Sequence, residues 1–243
     1  MDSSIFLACL AIFTLGCFVQ SSIGFGMGVL VGPFILVLEP KLMPSAVIFL
    51  GMSMSLIVWY QYRAYFEPRM LLSAFIGRLP GTVLAAYILM IVTADQLAIM
   101  LGVTILIAVV LSLGKWKLSP TPVNMLIAGF VSGVMGTATG IGGPPLAILL
   151  QNEEPEKIRA NLAAFFAITG VISLIALHLS GNFSYQDFHN SVLLLPAPIM
   201  ATLLAYQVRH KIKKRLVHNS VLILCSVSAF VSLSRGMHLF HFL

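Results

Sequence analysis

The sequence predicts an all-α polytopic membrane protein built as two inverted repeats, each with a glycine-broken segment and three full spans. Three observations carry this prediction. The 243 residues are 59% hydrophobic and only 9% charged, whereas ordinary globular chains run near about 25% charged. Apolar runs of bilayer-crossing length follow one another along the chain. The two halves also share an order of features at a fixed offset.

The composition excludes a soluble enzyme. With 14 Lys and Arg and 8 Asp and Glu, the chain has too few charges to cover a water-facing surface of this size. The net charge of +6 would suggest nucleic acid in a soluble chain. Here it reads as the Lys and Arg bias of short cytoplasmic loops, and no nucleic-acid partner is expected. The densest basic run, Arg209 to Arg215, lies between two apolar segments and suits anionic headgroups. Cys9, Cys17 and Cys225 sit in apolar stretches without CxxC spacing and read as inert buried thiols. The first apolar stretch is too long for a signal peptide, and only Asp2 precedes it as a charge.

The apolar runs can be taken in order. The first extends from Ile5 to Leu38 and is interrupted at Gly24, Gly26 and Gly28. Next come Met43 to Tyr62, Met70 to Ile91, and Gln96 to Leu113. A polar cytoplasmic linker, 115–122, carries Lys115 and Lys117 and separates a first repeat (1–114) from a second (123–243). The second repeat opens with Val123 to Leu150, again interrupted by glycines. Leu162 to Leu179, Phe188 to Val208, and Val217 to Leu233 follow. A helix needs about 20 residues to cross a bilayer. Backbone polar groups in hydrocarbon must pair within the segment, so these runs are helices. A membrane β-barrel would show alternating segments of about 10 residues instead.

The repeat rests on corresponding positions 116 residues apart. Gly24 and Gly26 recur as Gly140 and Gly142, Phe49 as Phe165, Pro80 as Pro196, and Ala85 as Ala201. Paired broken helices in two halves are the sequence sign of a secondary transporter. The basic residues then choose between two topologies. If every run crosses once, they divide five against eight. If each broken segment returns to its own side, they divide eleven against two, with Arg78 left out. The second division fits the positive-inside rule far better. It places both termini outside and the loops at 63–69, 115–117, 157–159 and 209–215 inside.

Two glycine-rich clusters are the candidate site. The first runs Gln20-Ser21-Ser22-Ile23-Gly24-Phe25-Gly26-Met27-Gly28. The second runs Gly136-Thr137-Ala138-Thr139-Gly140-Ile141-Gly142-Gly143-Pro144-Pro145. Glycine permits unusual backbone angles, and proline breaks the helix ladder. Backbone freed at membrane depth is tolerated only where it lines a cavity or is buried in protein. N–H groups at a half-helix start would then hold an anion, and Ser21, Ser22, Thr137 and Thr139 would add hydroxyls. The alternative is close helix packing through small residues. Arg78, in Gly77-Arg78-Leu79-Pro80-Gly81, is the one basic residue well inside a span. An ion there is costly and is functional or paired, and its fork suits a carboxylate or sulfonate. Pro80 and Gly81 suggest a local bend that opens room beside it.

The remaining polar residues read more plainly. Glu39 is a boundary charge or a proton carrier. His178 and His189 lie at the interface. Asn161 is the N-cap of its span, and Glu153, Glu154, Glu156, Lys157 and Arg159 form a solvated loop with a helix start. No His-Glu-x-x-His, Walker lysine or Gly-x-Ser-x-Gly motif is present. No catalytic residue, metal site or cofactor is therefore expected.

The chain resembles the TauE/SafE family of sulfite-exporter-like membrane transporters. The residues that carry the resemblance are Ser22 through Gly28, Ser132-Gly133-Val134-Met135-Gly136, and Thr139 through Pro145. The resemblance covers nearly the whole chain. It implies a secondary carrier in a bacterial inner membrane for small, often sulfur-containing anions: sulfite, sulfonates or related carboxylates. The expected site residues are Ser21, Ser22, Gly24, Gly26, Arg78, Thr137, Thr139, Gly140, Gly142 and Gly143. The expected partners are the anion and the lipid bilayer. Protons or another coupling ion, and a homo-oligomer, stay open. The competing reading is a non-transporting membrane assembly factor or sensor.

Overall fold

The computed structural model of the protein describes residues 3–23, 26–114, 118–208 and, beyond them, 226, 227, 229, 230 and 232–234. Side chains at 22, 23 and 206–208 lie outside this description, as do Arg209 to Arg215 and most of the expected span Val217 to Leu233. The described residues form helices α1 (Ser3–Ile23), α2 (Met27–Leu38), α3 (Ser45–Tyr62), α4 (Pro68–Leu89) and α5 (Ala94–Leu113). Then follow α6 (Pro122–Thr139), α7 (Gly143–Leu150), α8 (Pro155–Leu179), α9 (Tyr185–Leu193) and α10 (Pro196–Val208). No strand occurs among the described residues. Seven segments there are long and apolar enough to cross a membrane, with α9 and α10 counted together.

Their burial pattern is that of lipid-facing helices. On α4 the exposed large apolar residues from Leu72 to Tyr87 are Leu72, Ile76, Leu79, Val83, Leu84 and Tyr87, a stripe at helical spacing. The buried stripe is Leu71, Ala74, Gly77, Arg78, Gly81, Thr82, Ala85, Ala86 and Leu89. Large apolar side chains face out and small or polar ones face in, because hydrocarbon replaces water as the solvent.

Two expectations need correction in detail. Phe188 to Val208 is two helices, because Pro196 follows the turn at Leu194 and supplies no N–H to continue the ladder. Asn161 does not cap its span. The helix α8 starts at Pro155 and buries Asn161 in its second turn. There Asn161 Oδ1 accepts the backbone N–H of Glu67 at 3.0 Å.

The helix boundaries repeat with the sequence. The first break ends α1 at Ile23 and starts α2 at Met27; the second ends α6 at Thr139 and starts α7 at Gly143. Both breaks reverse the chain. Cys17 contacts Met27 at 3.3 Å, and Glu39, which follows α2, comes within electrostatic reach of Cys9. As positions rise along α2 their partners fall along α1, so the two run antiparallel. In the second half Ser132 donates to the carbonyl of Gly142 at 2.6 Å, across the turn. With 12 residues in α2 and 8 in α7, neither approaches the roughly 20 needed to cross.

The loop ends separate the two topologies. Lys157 pairs with Glu67 at 2.8 Å, and Arg159 donates to the Tyr62 hydroxyl at 2.9 Å. The start of α8 therefore shares an end with the α3–α4 turn. At the other end the Pro40–Leu42 turn packs on α9, and Phe49 meets Phe188 edge to face at 5.6 Å. One crossing per broken segment would put each of these pairs at opposite ends. A returning hairpin puts them together.

The two halves also interlock. The principal helix pairs are α4 with α6, α3 with α8, and α1 with α10, each joining one helix from either half. The α4–α6 pair is the closest. Its glycines sit at four-residue spacing, Gly77 and Gly81 on α4 and Gly129 and Gly133 on α6. A Cβ on Gly133 would lie 2.7 Å from the Arg78 carbonyl and 2.9 Å from the Gly81 Cα. Gly81 is thus filled by α6 and opens no room beside Arg78, and α4 runs through Pro80 unbroken.

A labelling test follows. In a background lacking Cys9, Cys17 and Cys225, cysteines placed at Lys41 and Gly181 should react with an impermeant maleimide from one side of the membrane. Cysteines at Ala64 and Glu153 should react from the other. Labelling of positions 41 and 181 from opposite sides would contradict the hairpin arrangement.

Candidate functional site

The two breaks meet in the middle of the fold. Gly26 has φ of +116° and Gly140 of +77°, the left-handed region that side-chain-bearing residues rarely adopt. These turns bring the break segments together: a Cβ on Gly28 would lie 2.5 Å from the Gly140 carbonyl oxygen. Between the breaks is a cavity of about 70 Å³. One water needs roughly 10–15 Å³ of such space, so a small molecule of a few heavy atoms fits. The break segments supply Gly26, Met27, Gly28, Gly140, Gly142 and Gly143, while α4 supplies Arg78. The starts of both short helices, α2 and α7, border it.

Those starts differ as donors. On α2 the first intrahelical bond reaches from Leu30 to the Gly26 carbonyl at 3.1 Å, so earlier N–H groups fall to other partners. The Met27 N–H takes the Gln20 Oε1 at 3.3 Å. On α7, Pro144 and Pro145 have no N–H to give. Hydrogen bonding to an anion from α7 therefore falls to Gly142 and Gly143, while its dipole still favours negative charge.

Arg78 is 4% exposed. Its Nη1 donates to the Ser132 carbonyl and to the Ser132 hydroxyl at 2.7 Å. Its Nη2 donates to the Ser173 hydroxyl at 3.2 Å. The guanidinium also stands 5.7 Å from the centre of the Phe165 ring, within cation–π range. From Ser173 the chain of hydroxyls continues to Thr137 at 2.8 Å and on to Thr82 at 3.2 Å. These bonds tie α4 to α6 and α8. Every partner is neutral, and no carboxylate reaches Arg78 among the described residues. Three of its five N–H groups are used, and the Nε–H is buried with no partner. A cation at this depth with its Nε–H unpaired is costly.

The expected site residues divide accordingly. Gly26, Arg78, Gly140, Gly142 and Gly143 line the cavity. Thr137 serves the hydroxyl chain instead, and Thr139 bonds back to the Met135 carbonyl at 2.7 Å. Ser21 does not line the cavity, and its hydroxyl is buried without a partner. Gly24 and the Ser22 side chain lie outside the described residues. Not expected were Ser132 and Ser173, which hold Arg78, and Met52, Thr169 and Gly170, which bring α3 and α8 to the wall. Gln20, at the head of the first cluster, also lines it.

A helical bundle with two reversed half-helices facing a buried arginine defines the class: a polytopic membrane protein built like a solute carrier. Residues 8–231 match the family described as Sulfite exporter TauE/SafE, and the chain belongs to that family. It is a multi-pass membrane protein of a transporter family, as the resemblance implied. No curated protein and no solved structure gives a significant match.

The glycines make separable predictions. Gly142 has φ of −103°, which alanine adopts freely, but a Cβ there would stand 2.8 Å from Arg78 Nη1. Gly142→Ala should therefore fold and lose anion affinity. Gly133→Ala would press backbone on backbone, and such overpacking costs about 1–3 kcal/mol. Its thermal midpoint in detergent should fall. If Gly142→Ala binds anion as wild type does, Gly142 has no part in the site.

Proposed function

We propose that the protein is a secondary transporter of small anions, namely sulfite, sulfonates or related short carboxylates, across a bacterial inner membrane. The anion sits between the two break segments, with the Arg78 guanidinium as its counter-charge. The starts of α2 and α7 add backbone donors and the positive ends of their dipoles. One observation carries this reading. A buried arginine with no acid partner among the described residues borders the cavity where the two breaks meet.

The two halves act as inverted repeats about this site, with the basic loops facing the cytoplasm. Support comes from the recurrence of the breaks, the reversal of the chain at each, and the pairing of loop ends described above. Rocking one set of helices against the other would open the central cavity to each side in turn. A secondary carrier needs no nucleotide motif, in keeping with the sequence.

Binding isotherms of wild type, Arg78→Lys and Arg78→Ala with sulfite and methanesulfonate in detergent test this role. Arg78→Lys keeps the charge and loses the fork, so it should lose about 1.5–3 kcal/mol, the worth of one charged hydrogen bond. Arg78→Ala should lose more, about 2–5 kcal/mol, as for removal of one partner from a buried charge pair. Unchanged affinity in the alanine variant would leave Arg78 a structural residue and end the proposal.

A further inference from the structure

The cavity holds a fixed positive charge, and no acid lines it among the described residues. All eight carboxylates can be located along the sequence. Asp2 precedes the first apolar run, and Glu39 follows α2 directly. Glu67, Glu153 and Glu154 lie in connecting segments, while Asp95, Glu156 and Asp187 stand in first turns of helices. None reaches the core of a span. The cavity wall offers no substitute among the described residues. Apart from Arg78 it consists of glycines, apolar side chains, Pro144, Gln20 and Thr169. The Thr169 hydroxyl is committed to the Phe165 carbonyl at 2.7 Å. No side chain there takes up a proton at neutral pH.

This arrangement constrains the transport cycle. A carrier that alternates its access passes through a form closed at both ends. In that form the empty protein seals a guanidinium among neutral oxygens and an aromatic ring, with the Nε–H unpaired. Bare charge in such surroundings is strongly penalised. The loaded protein seals an ion pair instead, with the free donors of Arg78 bonded to the anion. The loaded form therefore closes faster than the empty one. Resting on the reading of this cavity as an anion site, we infer that the protein is an obligate anion exchanger. One anion enters for each that leaves, so the counter-anion gradient alone drives the exchange and neither a proton nor a sodium gradient is required. Between anions of equal charge the cycle moves no net charge.

Proteoliposomes provide the test, with radiolabelled methanesulfonate as the probe because it remains an anion at every pH used. Vesicles contain either unlabelled methanesulfonate or impermeant gluconate. Entry should be about tenfold faster or more into the methanesulfonate-loaded vesicles, tenfold being the effect of about 1.4 kcal/mol on a barrier. It should be unchanged when a protonophore removes the pH gradient or choline replaces sodium. Equal entry into gluconate-loaded vesicles would overturn the inference and leave the transport reading standing. Entry that requires a pH gradient or sodium would do the same. No entry into either vesicle, with no binding in detergent, would overturn both.

Discussion

The Arg78 guanidinium, held by Ser132 and Ser173, is the interaction on which the middle of this protein depends. It joins α4 to α6 and α8, so one side chain spans three helices from both halves. A cation can occupy that depth only because backbone and hydroxyl oxygens replace part of its water. Those oxygens are available because α6 packs on α4 through Gly129 and Gly133, at distances no larger residue allows. The close packing and the buried charge therefore support one another. The small-residue interface brings Ser132 within reach, and Arg78 fixes the register of the pair.

The same logic explains the interlocking of the halves. Each half has its own break, but neither half closes a cavity alone. The first break supplies Gly26 to Val29, the second supplies Gly140 to Pro144, and the cationic group comes from α4. The principal contacts cross between halves, so the cavity sits where the two halves meet. Because its walls come from both halves, motion of one half against the other would change access to this cavity.

Much of this was legible in the sequence, for identifiable physical reasons. The spans were legible because a chain with 9% charged residues has few other ways to fold. The breaks were legible because Gly26 and Gly140 take backbone angles that other residues avoid. Arg78 stood out as a lone cation among apolar neighbours. The roles of small polar residues were not legible. Thr139 and Thr169 each satisfy a hydroxyl on their own helix, while Ser132 and Ser173 hold the guanidinium. Sequence position does not distinguish these fates, because the partner lies on another helix. Gly81 was read as space and proved to be contact for the same reason, although its four-residue spacing from Gly77, matched by Gly129 and Gly133, carried a packing signal.

The central claim is that an anion binds between the two breaks against Arg78. It is tested most directly by a crystal of the protein soaked with selenite, a heavier relative of sulfite, with data collected at the selenium edge. The account predicts an anomalous peak in the cavity, with an oxygen about 3 Å from the Arg78 guanidinium and others facing the N–H groups that start α2 and α7. An empty cavity in crystals that show selenite elsewhere, at the surface or along the basic loops, would contradict it.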